Sequence, residues 1–527
     1  MDKHTTRTQL SQKEEETNNY KFPNDIIYEI MSFLDDFKFI VMNCALVSKQ
    51  WFNVILSTCN HLNLNCKRGV EMGGQFLQNI AILDVCATND TCKKLISMKS
   101  LTELIIKCDD EGSAKFISEL KQLTRLTIDA SHIRDEGVRY ISELKQLAYL
   151  SVHSNDISDD GVKYLRELKQ LTTLIIFSNR VGSEGCKCIS ELKQLTSLCI
   201  DDNHINDEGA NNRVGSEGCK CISELKQLTS LCIDDNHIND EGAKYLSELA
   251  QLTYLDISSN GLGNEGTKYI STLNQLEKLN ISQNYIGDEG LEYFGKLSQL
   301  TSLELSNNKI GTEGAKYLSE LKQLTQLDIE YNKIGDKGAM YFGELKQLVN
   351  LIINNNRIGN DGVKYIGELK QLIYLDISEN RIGNEGIKYI GELKQLTDVN
   401  ISENRIGNEG AKYIGQLSQL TSLYLSNNNI GNEGAKYISE LKELIYLYMN
   451  NNKIRNEGAK YISEMKQVTQ LDIGNNYIGE EGIKYISEMK QLIHLEKYQY
   501  NEEMYNENEE EYNENEEEYT DNEEEEY

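Results

Sequence analysis

The chain is poor in proline and tryptophan and has no long apolar run. Its 527 residues include one proline, Pro23, and one tryptophan, Trp51. No apolar stretch reaches the roughly 18 residues that a membrane-spanning helix needs, so we expect no membrane span. The polar N-terminus also lacks the apolar segment of a secretory signal. We therefore expect a cytoplasmic protein, with the nucleus as a second possible location, whose 12 cysteines are reduced thiols.

Positive charge is scarce as well. The 54 Lys and Arg residues are outnumbered by 84 Asp and Glu residues, which gives a net charge of −30. Basic surface supplies most of the affinity for nucleic acids, so this composition argues against a nucleic-acid partner and against an anionic membrane surface. Residues 498–527 alone hold 15 acidic and no basic residues. We expect the acidic Tyr/Asn/Glu tail at residues 496–527 to be disordered, because its charge density cannot support a core.

Motifs for catalysis are lacking too. The sequence has no phosphate-binding loop, no Ser/His/Asp order and no metal-ligand spacing, and its seven histidines are scattered. Two GCKC segments, Cys186/Cys188 and Cys219/Cys221, could be taken for metal ligands. They occupy the Ala and Tyr positions of a repeated GAKY segment, so we interpret them as helix and core residues. We expect no enzyme activity, no cofactor and no metal.

The dominant feature of the chain is a repeat of 24 residues. Leucines recur at this spacing from Leu123 to Leu195 and, after one break, from Leu228 to Leu492. The unit LxxLxIxxNxIGxEGAKYISELKQ predicts a short strand followed by a turn and an amphipathic helix. Stacked copies of its Asn should form a buried ladder that satisfies backbone groups at the turn. Four residues after the Asn, an Asp, Asn, Ser or Thr is expected to cap the helix.

The break in the repeat comes from a duplicated segment. Residues 179–210 are identical to residues 212–243, at an offset of 33 residues rather than a multiple of 24. Deleting residues 211–243 would restore the register, so we interpret the segment as a recent tandem duplication or a sequence-assembly error rather than a designed site. If the segment is real, the repeat at 195–227 is 33 residues long, and its excess forms a loop at about 205–213 on the convex side.

The unit resembles the leucine-rich repeat, in the variant with an outer helix found in ribonuclease-inhibitor-like proteins. Each repeat is shorter than is usual for that subfamily. The resemblance implies an α/β solenoid with parallel strands on the concave face and helices on the convex face. We place the solenoid at residues 123–495 and irregular capping repeats at residues 59–122.

Residues two, four and six positions after the first Leu of each repeat should point into the concavity. These positions are rich in acidic and aromatic residues, and Arg125 and Lys278 are basic exceptions. Aromatic anchors in an acidic field suit a basic, extended protein partner, and the alternative is a generic hydrophilic face that follows the repeat consensus. The favoured aromatic clusters are Tyr149–Phe177 and Tyr424–Tyr448. The candidate substrate-binding residues are Tyr149, His153, Phe177, Tyr254, Asp328, Glu330, Tyr374, Tyr424, Tyr446 and Tyr448.

Both rare residues lie in one N-terminal stretch, residues 22–55, which reads FPNDIIYEIMSFLDDFKFIVMNCALVSKQWFNVI. Pro23 suits a helix start, Asn24 and Asp25 can cap it, and Ser48 can cap a later helix. We predict three short helices. A unit this small cannot bury all of its apolar surface alone, so it needs a partner or serves as a helical cap on the repeats.

This stretch resembles the F-box, the motif that docks a substrate receptor onto a ubiquitin ligase. The resemblance rests on Pro23, the apolar spacing and the LVSKxW ending, with Phe22 where Leu is usual. It implies an F-box at residues 21–58 after a disordered segment at 1–20. In the family, the apolar side of the helices packs on a Skp-type adaptor, which binds a cullin. The candidate adaptor-binding residues are Pro23, Ile26, Ile27, Ile30, Leu34, Leu46, Val47 and Trp51.

Together the two resemblances imply a substrate-recognition subunit of a Skp–cullin–F-box ubiquitin ligase. Such a subunit would be a monomeric, non-catalytic receptor that binds the adaptor through the F-box and a protein substrate through the repeats. Two alternatives stay open. One is a leucine-rich-repeat binding scaffold or inhibitor with a helical cap. The other is an exported effector that hijacks a host ubiquitin ligase.

Overall fold

A computed structural model covers most of the repeat region. The predicted F-box, its adaptor-binding candidates from Pro23 to Trp51, the loop at 205–213 and the tail after residue 496 lie outside the described residues. The structure describes residues 62–66, 80–87, 92–93, 95–108, 112–129, 131–203 and 214–496.

Nineteen strands in the described part of the chain form one continuous sheet. Every strand pairs in parallel with the next one along the chain, and in the regular repeats residues of equal repeat position are partners. This order is that of a leucine-rich-repeat solenoid, as predicted. The strands are β1 Leu62–Cys66, β2 Ile80–Ala87, β3 Glu103–Cys108, β4 Arg125–Ile128, β5 Tyr149–Ser151, β6 Thr173–Ile175, β7 Ser197–Cys199, β8 Ser230–Cys232, β9 Tyr254–Asp256, β10 Lys278–Asn280, β11 Ser302–Glu304, β12 Gln326–Asp328, β13 Asn350–Ile352, β14 Tyr374–Asp376, β15 Asp398–Asn400, β16 Ser422–Tyr424, β17 Tyr446–Tyr448, β18 Gln470–Asp472 and β19 His494–Glu496.

A helix follows each strand from β3 onward, up to β18. In one repeat, two short 3-10 helices at Asp288–Leu291 and Phe294–Lys296 take the place of the α-helix. None of the helices in the described ranges has the length and apolarity needed to cross a membrane. The α-helices are Gly112–Ile117, Arg134–Ile141, Asp159–Leu165, Ser183–Ile189, Gly215–Ile222, Asn239–Leu246, Asn264–Ile270, Thr312–Leu318, Gly335–Phe342, Asn360–Ile366, Asn384–Ile390, Asn408–Ile414, Asn432–Ile438, Asn456–Ser463 and Glu480–Ser487.

One hydrophobic core runs through the array between the sheet and the helices. In the repeat that begins at Leu372, four apolar side chains are fully buried: Leu375 on the strand, Ile377 directly after it, and Ile387 and Ile390 on the helix. The same positions are buried in the neighbouring repeats, so the apolar surface of each repeat is covered by the repeats on either side. A solenoid of this kind is stabilised mainly by contacts between neighbouring repeats.

The Asn of each repeat forms the predicted buried ladder. The Nδ2 atom of Asn179 donates to three carbonyl oxygens at 2.9–3.1 Å, one of which belongs to Val152 in the preceding repeat. Its Oδ1 atom accepts from the backbone amides of Asn155 and Ile157 at 3.1 and 3.0 Å. The residue before it, Ser178, adopts a left-handed backbone conformation with φ 52°, which turns the chain out of the strand. The ladder prediction is confirmed.

The predicted capping residues act on the next repeat rather than on their own helix. Asp159 is the first residue of its helix, and its Oδ1 atom accepts from the amides of Gly182 and Gly185, at 2.7 and 2.9 Å, in the repeat that follows. Further along the array, Asn360 Oδ1 accepts in the same way from the amides of Gly383 and Gly386 in the repeat that follows it. The prediction that these residues cap their own helices was wrong. Where the residue is Asp or Asn, stacking brings the unpaired amides of the next helix start against its side-chain oxygen. Ser216 and Thr312 instead donate to a carbonyl oxygen of the next repeat.

The sheet continues through the duplicated segment. Strand β7 pairs with β8 in register, with Leu198 opposite Leu231. Asn236 keeps its place in the ladder and donates through Nδ2 to the carbonyl oxygen of Ile200 at 3.0 Å. The GCKC segments lie in helices, and Cys186 and Cys219 are fully buried in the core. This agrees with their interpretation as helix and core residues.

Candidate functional site on the concave face

The strands present three rows of side chains on the concave face. We call them the second, fourth and sixth rows, after their distance from the first Leu of each repeat. Because the strands are parallel and in register, residues of one row lie side by side, as Tyr424 lies beside Tyr448. All ten candidate substrate-binding residues fall in these rows, and all are partly or largely exposed.

Two stacked pairs mark the N-terminal end of this face. The guanidinium carbon of Arg125 lies 3.9 Å from the ring centroid of Tyr149, in the second row. His153 stacks on Phe177 in the sixth row, with ring centroids 4.7 Å apart and planes at 9°. The Nε2 atom of His153 also lies 2.8 Å from Oδ1 of Asp129. Tyr149 and Phe177, predicted as one aromatic cluster, therefore belong to two separate pairs.

The centre of the concave face is acidic. Asp256, Glu304, Asp328 and Asp376 share the fourth row, and Glu330 follows in the sixth row. Within residues 214–496, no Lys or Arg forms an ion pair with these carboxylates. The face therefore carries negative charge that its own framework does not neutralise.

Partial burial shifts the pKa values of two carboxyl groups in this acidic centre. Partial burial raises the pKa of the Asp328 carboxyl, and hydrogen bonds oppose the rise. Partial burial and the charge of Asp328 raise the pKa of Glu330. Asp328 Oδ1 accepts from Ser306 Oγ at 2.5 Å and from the Glu330 amide at 3.2 Å. Neutral donors thus fix the Asp328 carboxylate in place without neutralising its charge.

Tyrosines gather at the C-terminal end of the concave face. Tyr424 and Tyr448 stack in the fourth row with ring centroids 4.8 Å apart and planes at 7°, so the two rings are in contact. Their role as a binding anchor stays a prediction. The hydroxyl of Tyr448 donates to Gln470 Oε1 at 3.0 Å. Partial burial raises the pKa of Tyr424 and of Tyr374 in the second row, so both phenols stay neutral. Tyr446 joins them in the second row and is partly exposed.

A thiol group between the two aromatic ends was missed by sequence reasoning. Cys199 and Cys232 are register partners on adjacent strands, and the Sγ atom of Cys199 lies 2.9 Å from Oδ2 of Asp201. Tyr254 stands on the next strand, opposite Ser230. The sulfurs of both cysteines and a carboxylate oxygen of Asp201 all lie within 4.8 Å of one another. The signal was present in the sequence, because the two cysteines occupy the same position in the two copies of the duplicated segment. From the sequence, only the cysteines of the GCKC segments were considered as metal ligands, and Cys199 and Cys232 were not.

Comparisons with known families identify both parts of the chain. The F-box domain matches residues 20–63. A leucine-rich repeat region matches residues 117–317, and further leucine-rich repeats match residues 322–343, 371–391, 394–415 and 418–478. No curated protein matches the chain.

Solved structures with a partly similar chain course come from bacteria and a plant. A leucine-rich-repeat protein of Leptospira interrogans is 23% identical, with 84% of this chain and 97% of that chain covered and a TM-score of 0.48. An internalin of Listeria monocytogenes is 22% identical, with 72% and 87% covered and a TM-score of 0.43. The Arabidopsis receptor kinase HAESA, solved with a peptide hormone and a co-receptor, is 17% identical, with 79% and 74% covered and a TM-score of 0.45.

Proposed function

We propose that this chain, an F-box domain followed by leucine-rich repeats, is a substrate-recognition subunit of a Skp–cullin–F-box ubiquitin ligase. The F-box match at residues 20–63 carries the proposal, because an F-box implies binding to a Skp-type adaptor. Proteins that combine an F-box with leucine-rich repeats are typically non-catalytic and usually intracellular. The chain's role would be to hold a substrate close to a ubiquitin-conjugating enzyme, which raises the effective concentration of the reacting groups.

The concave face supports a basic, extended segment as the part of the substrate that binds. The carboxylates from Asp256 to Asp376 lack cationic partners within residues 214–496, and Lys or Arg side chains of a substrate would supply them. Tyr424 and Tyr448 offer stacked rings beside this acidic centre, where an apolar or cationic side chain can pack. Strands spaced about 4.8 Å apart put Asp256 and Tyr448 about 38 Å apart, a distance spanned by about 12 extended residues.

The adaptor half of the proposal is tested by a pull-down of the full-length chain with a purified Skp-type adaptor. A variant with Leu46→Asp and Trp51→Ala should lose adaptor binding, because it places a charge and a gap in the apolar side of the F-box. The matched control, Tyr424→Ala with Tyr448→Ala, changes the concave face and should bind the adaptor like the unchanged chain. Adaptor binding that survives the F-box substitutions would contradict the assignment of this apolar face. No adaptor binding by the unchanged chain would overturn the proposal and leave a leucine-rich-repeat binding scaffold.

A further inference from the structure

The duplication places two thiols side by side on the concave face. Cys199 ends strand β7 and Cys232 ends strand β8, and the two residues are register partners. Neighbouring strands lie about 4.8 Å apart, so their side chains project next to each other. Asp201 lies two residues after Cys199 and therefore on the same face. Within the described residues, these three form the one group of His, Cys, Asp or Glu side chains whose ligand atoms come close enough to hold a metal ion.

We propose that Cys199, Cys232 and Asp201 bind a thiophilic divalent metal ion, for which Zn²⁺ is the best match. Two sulfur atoms and one carboxylate oxygen form a mixed donor set that Zn²⁺ accepts in tetrahedral sites. Hard cations such as Ca²⁺ and Mg²⁺ select six or more oxygen ligands, which this group does not offer. In a zinc site, neighbouring ligand atoms are about 3.5 Å apart, so the separations of at most 4.8 Å seen here need only side-chain adjustments.

Two of the three side chains already form a hydrogen bond, and a metal ion would displace its proton. Cys199 Sγ donates to Asp201 Oδ2 at 2.9 Å. A divalent cation would displace the thiol protons and stabilise the two thiolates and the carboxylate together.

Two further features support the site. All three residues are only partly buried, so a metal ion can enter from the concave side. The pairing also depends on the duplicated copy. On the flanking strands the fourth-row neighbours of the two cysteines are Ile175 and Asp256. Without residues 211–243, Cys199 would have no thiol beside it.

The test uses the reduced full-length chain and Co²⁺ as a spectroscopic probe. We expect one equivalent of Co²⁺ to produce thiolate-to-cobalt charge-transfer bands, and added Zn²⁺ to abolish them. Cys232→Ser should remove the bands, and Asp201→Asn should weaken Co²⁺ binding by about tenfold or more. The matched control is Cys188→Ser with Cys221→Ser, which removes the partly buried thiols of the helix side and should leave the bands unchanged.

A second variant distinguishes loss of the metal site from loss of folding. Deletion of residues 211–243 removes Cys232 together with the whole extra copy and keeps the 24-residue register, so the deletion variant should fold and lose the Co²⁺ bands. Bands that persist in Cys232→Ser would overturn the proposal. So would their absence from the reduced unchanged chain. A Cys199–Cys232 disulfide in a chain that binds no Co²⁺ after reduction would show that the pair is a redox pair instead.

Discussion

Two side chains of one repeat, Asn380 and Asp376, show how differently the ladder and the concave face are built. Asn380 donates three hydrogen bonds and accepts two, all with backbone groups. Both polar atoms of its side chain therefore have hydrogen-bond partners within the chain. Asp376 also accepts hydrogen bonds, from Ser378 and Asn400, but within residues 214–496 no Lys or Arg pairs with its charge. The ladder's hydrogen bonds are satisfied within the chain, whereas the concave face keeps carboxylate charge that no Lys or Arg of residues 214–496 neutralises. The first region explains the fold, and the second is where function should be sought.

The strongest test of this contrast is Asn380→Ala. The substitution leaves the buried amides of Asn356 and Ile358 without an acceptor, so we expect a loss of about 3 kcal/mol in the free energy of unfolding. Urea unfolding measures the loss, and faster hydrogen exchange at these two amides localises it. Asn350→Ala in the second row is the matched control and should change stability by less than about 0.5 kcal/mol. If the two substitutions lowered the free energy of unfolding equally, the ladder would contribute no more to stability than the concave face, and the contrast would be refuted.

Neutralising the acidic centre should affect binding rather than folding. The triple change Asp256→Asn, Asp328→Asn and Asp376→Asn should weaken the binding of an extended Lys-rich peptide by about tenfold at low salt. Fluorescence anisotropy of a labelled peptide measures the affinity across a salt series. The control changes Glu313, Glu385 and Glu409 to Gln, which removes the same charge from helix starts on the convex side. A control that weakens binding equally would show general attraction to an acidic protein instead of a site.

The aromatic end of the face should give a smaller effect. Tyr424→Ala removes the stack on Tyr448, and we expect the affinity for the same peptide to fall by about fivefold, equivalent to about 1 kcal/mol. Tyr477→Ala is the control, since this tyrosine is 59% exposed and lies outside the three rows. If both substitutions leave binding unchanged, the tyrosine pair is not an anchor, and the binding surface is confined to the carboxylates.

The smallest expected effect is a dependence of stability on pH. Burial raises the pKa of Asp328, so the folded chain disfavours the carboxylate relative to the unfolded chain. The resulting destabilisation is present above the folded pKa and is lost as the pH falls below the unfolded value of about 3.9. Asp328→Asn should therefore stabilise the chain by less than about 1 kcal/mol at neutral pH and by less still near pH 4. Urea midpoints at the two pH values provide the measurement, and destabilisation at neutral pH would refute this account.

The same contrast separates what the sequence could predict from what it could not. The ladder follows from one residue type recurring at a fixed spacing, and the structure confirms it. The helix caps could not be assigned, because the repeat pattern shows that an Asp or Asn stands at each helix start and does not show which repeat supplies the amides. Tyr149 and Phe177 belong to consecutive repeats but stand in different rows, so the predicted cluster divides into two separate pairs. Cys199 and Cys232 were missed because their pairing depends on strand register across the duplicated segment.

The caps that cross from one repeat to the next have a consequence for how such a chain can grow. The oxygen of Asp159 completes the helix start of the following repeat, and Asn360 does the same further along. Units with Asp or Asn at this position therefore supply an acceptor to the next repeat, whereas Ser216 and Thr312 donate to a carbonyl oxygen there. A copied unit that carries such an Asp or Asn brings with it the acceptor for the next helix start. We therefore expect the array to gain or lose whole units while the framework is kept, and each unit adds or removes one residue in each row of the concave face.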